Sequence, residues 1–339
     1  MKLTFSPYTL SLKHAFTIAT SSRSTTPVMF ATIEHEGIVG YGEASMPPYL
    51  GESHESASRF LSKVHIEKYE SPFLLERILG DIDSLEPGNH AAKAAVDIAL
   101  HDWVGKKLDQ PWYRIWGLDL NEIPYTSFTI GIDTPEVVRK KTEEAGDYRV
   151  LKVKLGGQND KEMIDAIRDV TDKPVRVDAN QGWTDRSAAL KIIEWLASKN
   201  VELVEQPMPK AQLEDTIWLK ERSPLPLVAD ESAVRLSDIT EITDGFHGVN
   251  IKLMKCTGMR EAHKMVLLAR SLGLKVMIGC MTETSCAISA AAQLSPLVDW
   301  TDLDGAALIS NDVFRGATLQ DGRMMPSSGS GIGVDKLGT

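Results

Sequence analysis

Apolar and polar positions follow two different regimes along this chain, and the change comes near Pro124. Earlier, alternation in Val28-Met29-Phe30-Ala31-Thr32-Ile33-Glu34, a turn around Gly37 and the run Ile38–Glu43 predict a small antiparallel sheet. A helical period follows, with Ala92, Ala95, Val96, Ala99, Leu100, Trp103 and Val104 on one face. Asn89 is its candidate N-cap, and the end falls near Gly105 to Leu108. Asp97 and Asp102 on this helix read as structural or solvated.

Beyond Pro124, short apolar runs at 150–155, 175–178, 201–205, 227–230, 249–253, 276–279 and 300–303 alternate with amphipathic stretches such as 160–170, 185–198 and 260–272. Strands alternating with helices imply βαβ units and a parallel sheet. The polar residues ending successive runs, Lys154, Asp178, Glu205, Asp230 and Lys252, are 24, 27, 25 and 22 residues apart. One strand, one helix and two loops use about that length in an eight-stranded α/β barrel, whose domain spans roughly 250 residues. Residues 127–131 supply the first of eight strands. A doubly wound open sheet is the alternative, but it usually carries a glycine-rich first turn, and none is present. The Gly/Ser-rich segment 326–333 reads as a surface loop returning to the amino-terminal unit, not as a phosphate loop.

Composition narrows the function classes. The chain has 339 residues, 37 Lys plus Arg and 47 Asp plus Glu, a net charge of −10. That balance opposes nucleic acid as a partner, because phosphate binding needs a positive surface. The cysteines, Cys256, Cys280 and Cys286, form no CxxC pair, and the first residues lack the apolar run of a signal peptide. No apolar stretch approaches membrane-spanning length, so the expected compartment is the reducing cytoplasm, without membrane contact.

The chemistry gathers where the strands end. Lys152-Val-Lys154, Asp178-Ala-Asn180, Glu205-Gln-Pro207, Asp230-Glu-Ser232 and Asn250-Ile-Lys252 close strands two to six; Glu283 follows the seventh, and Asp302-Leu-Asp304 lies on the eighth. Singly, each motif is weak: a lone Asp after a strand is commonly a helix cap. In a barrel they converge on one mouth, where three carboxylates repel one another unless a cation neutralises them. Asp178, Glu205 and Asp230 therefore form a candidate triad for a hard cation, Mg²⁺, since zinc would prefer His or Cys. Lys154 and Lys252 come from either side of that triad, so their amines would face each other across a substrate. Serving as a base requires a depressed lysine pKa, and repulsion between Lys152 and Lys154 is expected to lower at least one. The bland reading makes Lys252 a structural ion-pair partner.

This constellation resembles the enolase superfamily, and within it the muconate-lactonizing subgroup. The likeness covers nearly the whole chain, including Gly40-Tyr-Gly-Glu43-Ala44 and the helix from Ala95 to Asp102. It implies a modified TIM barrel, (β/α)7β, at 121–310, an α+β capping domain at 1–120, and a final segment, 311–339, returning to the cap. Asp302-x-Asp304 is similar to the Asp-x-Asp signature of the superfamily's dipeptide epimerases, which holds a substrate's α-ammonium. The resemblance implies epimerisation of a dipeptide's second residue, most directly L-Ala-D/L-Glu from cell-wall peptide turnover. Lys154 and Lys252 would exchange the α-proton while Lys152 holds the carboxylate, with Thr129 and Cys280 further along the pocket. An arginine in the capping loop binds glutamate in some relatives. Ser21 occupies that place here, with Arg23 two residues later as the candidate. The alternatives are o-succinylbenzoate synthase or muconate cycloisomerase chemistry, whose substrates carry no ammonium, and a non-catalytic binding barrel. A sugar-acid dehydratase is disfavoured, since 278–282 offers no His. Assembly into a homo-oligomer stays open.

Overall fold

A computed structural model describes residues 1–18, 21–157 and 159–338. Strands β1 (Lys2–Ile18), β2 (Ser21–His35) and β3 (Ile38–Ser45) form an antiparallel sheet in chain order. His35 pairs with Ile38, leaving Glu36 and Gly37 as a two-residue turn at φ 49° and 74°. A type I′ hairpin needs positive φ at both positions, and glycine meets it without steric cost. The periodicity announced β2 and β3 but not β1. That strand lies on the sheet edge and, among its described side chains, buries only Leu10, so little apolar alternation marks it.

The helix His90–Lys107 packs on this sheet, with every residue from Ala91 to Gly105 buried. Contact is close: a Cβ on Gly40 would lie 2.1 Å from the Ala99 carbonyl oxygen, and one on Gly42 1.9 Å from that of Ala95. The helix start differs from expectation. Asn89 has φ 50° and makes no side-chain cap; its amide donates to Glu86 instead. The Glu52 carboxylate accepts from the Ala91 and Ala92 N–H groups at 3.0 and 3.2 Å, a negative charge at the positive end of the helix. Asp97 and Asp102 are buried rather than solvated. Asp97 accepts from the Met259 N–H at 2.5 Å, tying the cap to the barrel. Asp102 accepts from the N–H groups of Tyr41 and Ile332 and from Lys106.

Eight parallel strands follow: β4 (Ser127–Ile130), β5 (Val150–Lys154), β6 (Val175–Asp178), β7 (Val201–Glu205), β8 (Leu227–Ala229), β9 (Gly248–Lys252), β10 (Lys275–Gly279) and β11 (Trp300–Asp302). Each overlies its apolar run to within one residue at either end. Neighbours pair in sequence order, and a Thr126–Thr301 bridge brings β4 against β11, so the barrel is nearly closed. Leu203, Val228 and Met277 form a small apolar cluster of their own. Each stands two residues before a strand-end position, on the same strand face. An apolar plug thus underlies the charged layer.

The carboxyl-terminal segment returns to the cap. Gly331 accepts from the Trp112 N–H and donates to the Gln110 carbonyl, and Ile332 is fully buried beside Asp102. The expected surface loop is, at Gly331–Val334, tucked in. No helix among the described residues is long and apolar enough to cross a membrane.

Candidate active site

Strand register assembles the charged layer. Lys154 lies opposite Asp178 across β5 and β6, and Asp178 opposite Glu205 across β6 and β7. Asp230 follows β8. Ligand-capable oxygens of Asp178, Glu205 and Asp230 lie within 4.8 Å of one another, and all three residues are buried. Cations surround them. Lys154 donates to Asp178 at 2.5 Å, and Lys252 to Asp230 at 2.7 Å. Lys152 reaches Glu205 at 2.6 Å, Asp302 at 2.7 Å and Asp178 at 3.3 Å.

Position around the barrel decides what this layer can do. β5 and β9 stand four strands apart in a ring of eight, so Lys154 and Lys252 rise on opposite sides. The triad comes from β6 to β8 on the arc between them, while β11 and β4 hold the opposite arc. There Asp302 accepts from Lys152 and from the Ser127 hydroxyl, each at 2.7 Å. Asp304 accepts from the Thr129 N–H at 2.6 Å. A cavity of about 220 Å³ is lined by Lys152, Lys154, Lys252, Asp230, Thr129, Asp302 and Asp304. Arg23 and Cys280 line it too, and Asp178 and Glu205 lie buried beneath. The Arg23 Nε donates to the Thr26 hydroxyl at 3.2 Å, and its guanidinium lies 5.0 Å from the Phe16 ring centre. The side chain of Ser21 lies outside the described residues.

Further residues join this layer. Lys255, three residues beyond Lys252, is not singled out by the sequence. It is buried, donating to Asp230 at 2.6 Å and to the carbonyls of Asp230, Ala233 and Asn250. Asn250 donates to Glu205 at 2.8 Å, and Gly279 permits this, since a Cβ there would sit 2.5 Å from the Asn250 Oδ1. Tyr49, Gln181, Lys210 and Glu231 also line the cavity. Glu283, by contrast, folds back on the Met281 N–H at 2.9 Å.

For Lys152, electrostatics run opposite to the expected lowering. Burial acts to lower the pKa of Lys152 and Lys252, yet the carboxylates overcome it. Asp302 and Glu205 hold Lys152, and Asp230 holds Lys252, well above the usual lysine range. Within the protein's own charge set these amines are counter-ions of the triad, and that attraction outweighs their mutual repulsion. For Asp178, burial is outweighed by Lys154 and Lys152, which bring it to about 2. Burial and the Asp302 charge push Asp304 up to about 7.

The donor set fits a hard divalent cation. It consists of buried carboxylates alone, with ligand-capable oxygens close enough together to share one ion. Oxygen donors of this kind suit Mg²⁺, and among the described residues no His or Cys joins them.

Residues 4–117 match the family described as mandelate racemase/muconate lactonizing enzyme, N-terminal domain, and residues 133–336 match enolase C-terminal domain-like. An L-Ala-D/L-Glu epimerase from Bacteroides thetaiotaomicron is 61% identical over 338 residues, 99% of this chain and 88% of that protein. The substrate-liganded L-Ala-D/L-Glu epimerase of Bacillus subtilis superposes with a TM-score of 0.90 at 28% identity, covering 100% of this chain and 99% of that one. A dipeptide epimerase from Enterococcus faecalis, complexed with Mg and the dipeptide L-Leu-L-Tyr, gives 0.91 at 32% identity over 98% of both chains. Two domain matches in order, one relative alike over nearly the full length, and a shared barrel with its cap lead to one assignment: the chain belongs to the mandelate racemase/muconate lactonizing enzyme family of the enolase superfamily.

Proposed function

We propose that this protein is a Mg²⁺-dependent dipeptide epimerase that inverts the α-carbon of the second residue, with L-Ala-D/L-Glu as its substrate. The observation that carries the reading is the crossed arrangement of the mouth. One axis runs from the acidic triad to Asp302 and Asp304, and the other from Lys154 to Lys252. A dipeptide laid along the first axis, carboxylate toward the triad and ammonium toward the Asp pair, presents the faces of its second α-carbon to the two amines.

Asp178, Glu205 and Asp230 would hold the ion, which when bound supplies Lewis acidity to the substrate carboxylate. The Lys152 ammonium, anchored by Glu205 and Asp302, donates to that carboxylate and strengthens its hold as negative charge grows on it. One lysine of the Lys154/Lys252 pair, neutral, takes the α-proton; the other, protonated, returns a proton to the opposite face. Inversion follows because donor and acceptor stand on opposite sides, and the reverse reaction exchanges their roles. The counter-ion role of these amines in the protein's own charge set fits this, since added positive charge at the triad lowers a nearby lysine's pKa.

Arg23 and Lys210 supply the preference for an anionic second residue. Both line the cavity, and neither makes an ion pair with a carboxylate among the described residues. The 61% identical relative is named for L-Ala-D/L-Glu, which supports the same choice. A place in cell-wall peptide turnover within the cytoplasm accords with that substrate.

The deciding experiment incubates L-Ala-L-Glu with enzyme and Mg²⁺ in D₂O. Deuterium is expected at the glutamyl α-carbon together with the D-epimer. Absence of exchange across a broad dipeptide panel, with turnover of an ammonium-free carboxylate instead, would transfer the site to cycloisomerase or synthase chemistry.

A further inference from the structure

The two oxygens of each triad carboxylate are held differently. One is bonded to a lysine that lines the cavity: Asp178 Oδ2 to Lys154 at 2.5 Å, Glu205 Oε2 to Lys152 at 2.6 Å and Asp230 Oδ2 to Lys252 at 2.7 Å. The other is bonded to a group fixed in the frame. Asp178 Oδ1 accepts from the Asn180 N–H at 2.9 Å, Glu205 Oε1 from the Asn250 side-chain amide at 2.8 Å, and Asp230 Oδ1 from Lys255 at 2.6 Å. At Asp230 alone the fixed donor is a charge. Lys255 is buried, and its ammonium also donates to the carbonyls of Asp230 at 2.6 Å and of Ala233 and Asn250 at 3.0 Å. Four acceptors more than occupy its three protons, so it has no donor to spare for a ligand. Its backbone is fixed too, because the Lys255 N–H closes a turn on the Lys252 carbonyl at 2.9 Å. Lys252, in contrast, faces the cavity, and its next carboxylate oxygen, on Glu205, lies 3.9 Å away.

We propose that Lys255 is a positioning residue that leaves Asp230 one oxygen to offer a bound ion, and that it thereby biases the site toward Mg²⁺ and against Ca²⁺. The inference rests on the reading of the triad as a divalent-cation site and extends it from the ligands to the choice of ion. Mg²⁺ demands near-octahedral geometry and few protein oxygens, whereas Ca²⁺ takes about six to eight oxygens and accepts a carboxylate through both of its own. An ammonium against Oδ1 repels a second cation from that oxygen, which closes the two-oxygen mode. Without that charge Oδ1 is free to join Oδ2, and the larger ion gains more from the change.

The test is calorimetric titration of the metal-free, full-length protein with MgCl₂ and with CaCl₂, a readout that needs no turnover. Lys255→Met, of similar length and uncharged, should lower the ratio of the Ca²⁺ Kd to the Mg²⁺ Kd roughly tenfold or more while circular dichroism stays native. Lys255→Gln, which keeps an amide donor for the carbonyls, should lower it in the same direction and serves if the first variant does not fold. Lys252→Ala removes the competitor for Oδ2 without freeing Oδ1, so it should tighten both ions alike and leave the ratio unmoved. A ratio unchanged in a folded Lys255 variant, or one that falls as far in Lys252→Ala, would overturn the assignment. Absence of saturable binding of either ion to the wild-type protein is a different outcome, because it removes the metal reading of the triad and the role of Lys255 falls with it.

Discussion

Lys154 and Lys252 each have one close carboxylate partner, Asp178 and Asp230, yet they stand on opposite walls of the barrel. Under the proposed two-base mechanism, a single-lysine variant keeps one of two bases. Lys154→Ala and Lys252→Ala are each expected to lose epimerisation by 10²–10⁴-fold, the usual contribution of a positioned acid or base. Each should still wash deuterium into one stereoisomer only, and opposite isomers for the two variants, as read by proton NMR in D₂O. Washout into both isomers by either variant would disprove the two-base arrangement. Asp304 yields a pH prediction. Its pKa is raised to about 7, so the charge proposed to hold the substrate ammonium is present above that pH and lost as pH falls through it. The substrate's amino group loses its own charge near about 8. KM should thus be lowest between the two values and rise on either side, and Asp304→Asn should remove the acidic limb. At this scale the sequence displayed which charged residues converge at the mouth, through Lys-x-Lys, Asp-x-Asp and the spaced carboxylates. It did not display Lys255, whose partners Asp230 and Ala233 come from beyond the neighbouring strand.

The elements were legible to different degrees, for physical reasons. Buried parallel strands leave continuous apolar runs, so β4 to β11 stood out, whereas the solvent-facing edge strand β1 did not. The helix His90–Lys107 was announced by its period, but its N-terminal cap is Glu52, about forty residues earlier, which no local pattern reveals. Gly40 and Gly42 acquire meaning only from that helix, because their missing side chains let it approach β3. Gly42→Ala would place a Cβ 1.9 Å from a backbone oxygen that cannot move alone. We expect a loss of about 3 kcal/mol or more, the upper range for overpacking, measured by urea denaturation. Glu52→Ala should cost about 1 kcal/mol in the same assay, the usual value of a helix cap.

For the molecule as a whole, cap and barrel close on each other around the mouth. Thr26 meets Thr282 at 2.7 Å, the Ser45 hydroxyl donates to the Thr282 carbonyl at 2.8 Å, and Glu43 accepts from Thr284 and Ala287 at the start of the helix Ser285–Ala292. One continuous apolar core runs through both parts, from Val28 and Ala95 to Val153 and Ile278. Removal of divalent cations by EDTA should therefore abolish turnover while circular dichroism stays native, because this apolar core, not the ion, joins cap and barrel. Restoring Mg²⁺ at 100 times its Kd should stabilise the protein by about 2.7 kcal/mol through mass action, seen as a higher Tm. A Tm indifferent to Mg²⁺ would contradict the triad's role.

The amino-acid sequence by itself determined the alternation of strand and helix, the barrel that alternation implies, and the acidic and basic residues at the strand ends. These are properties of local period and of a topology that sends every strand end to one face. Tertiary structure alone decided which charges meet. Register set Asp178 against Lys154, and closure of the ring carried Asp302 to Lys152. Packing buried Lys255 beneath Asp230 and sealed Ile332 against the capping helix. Such pairings join residues tens to hundreds of positions apart, and their energies depend on burial and distance, which exist only once the chain has folded.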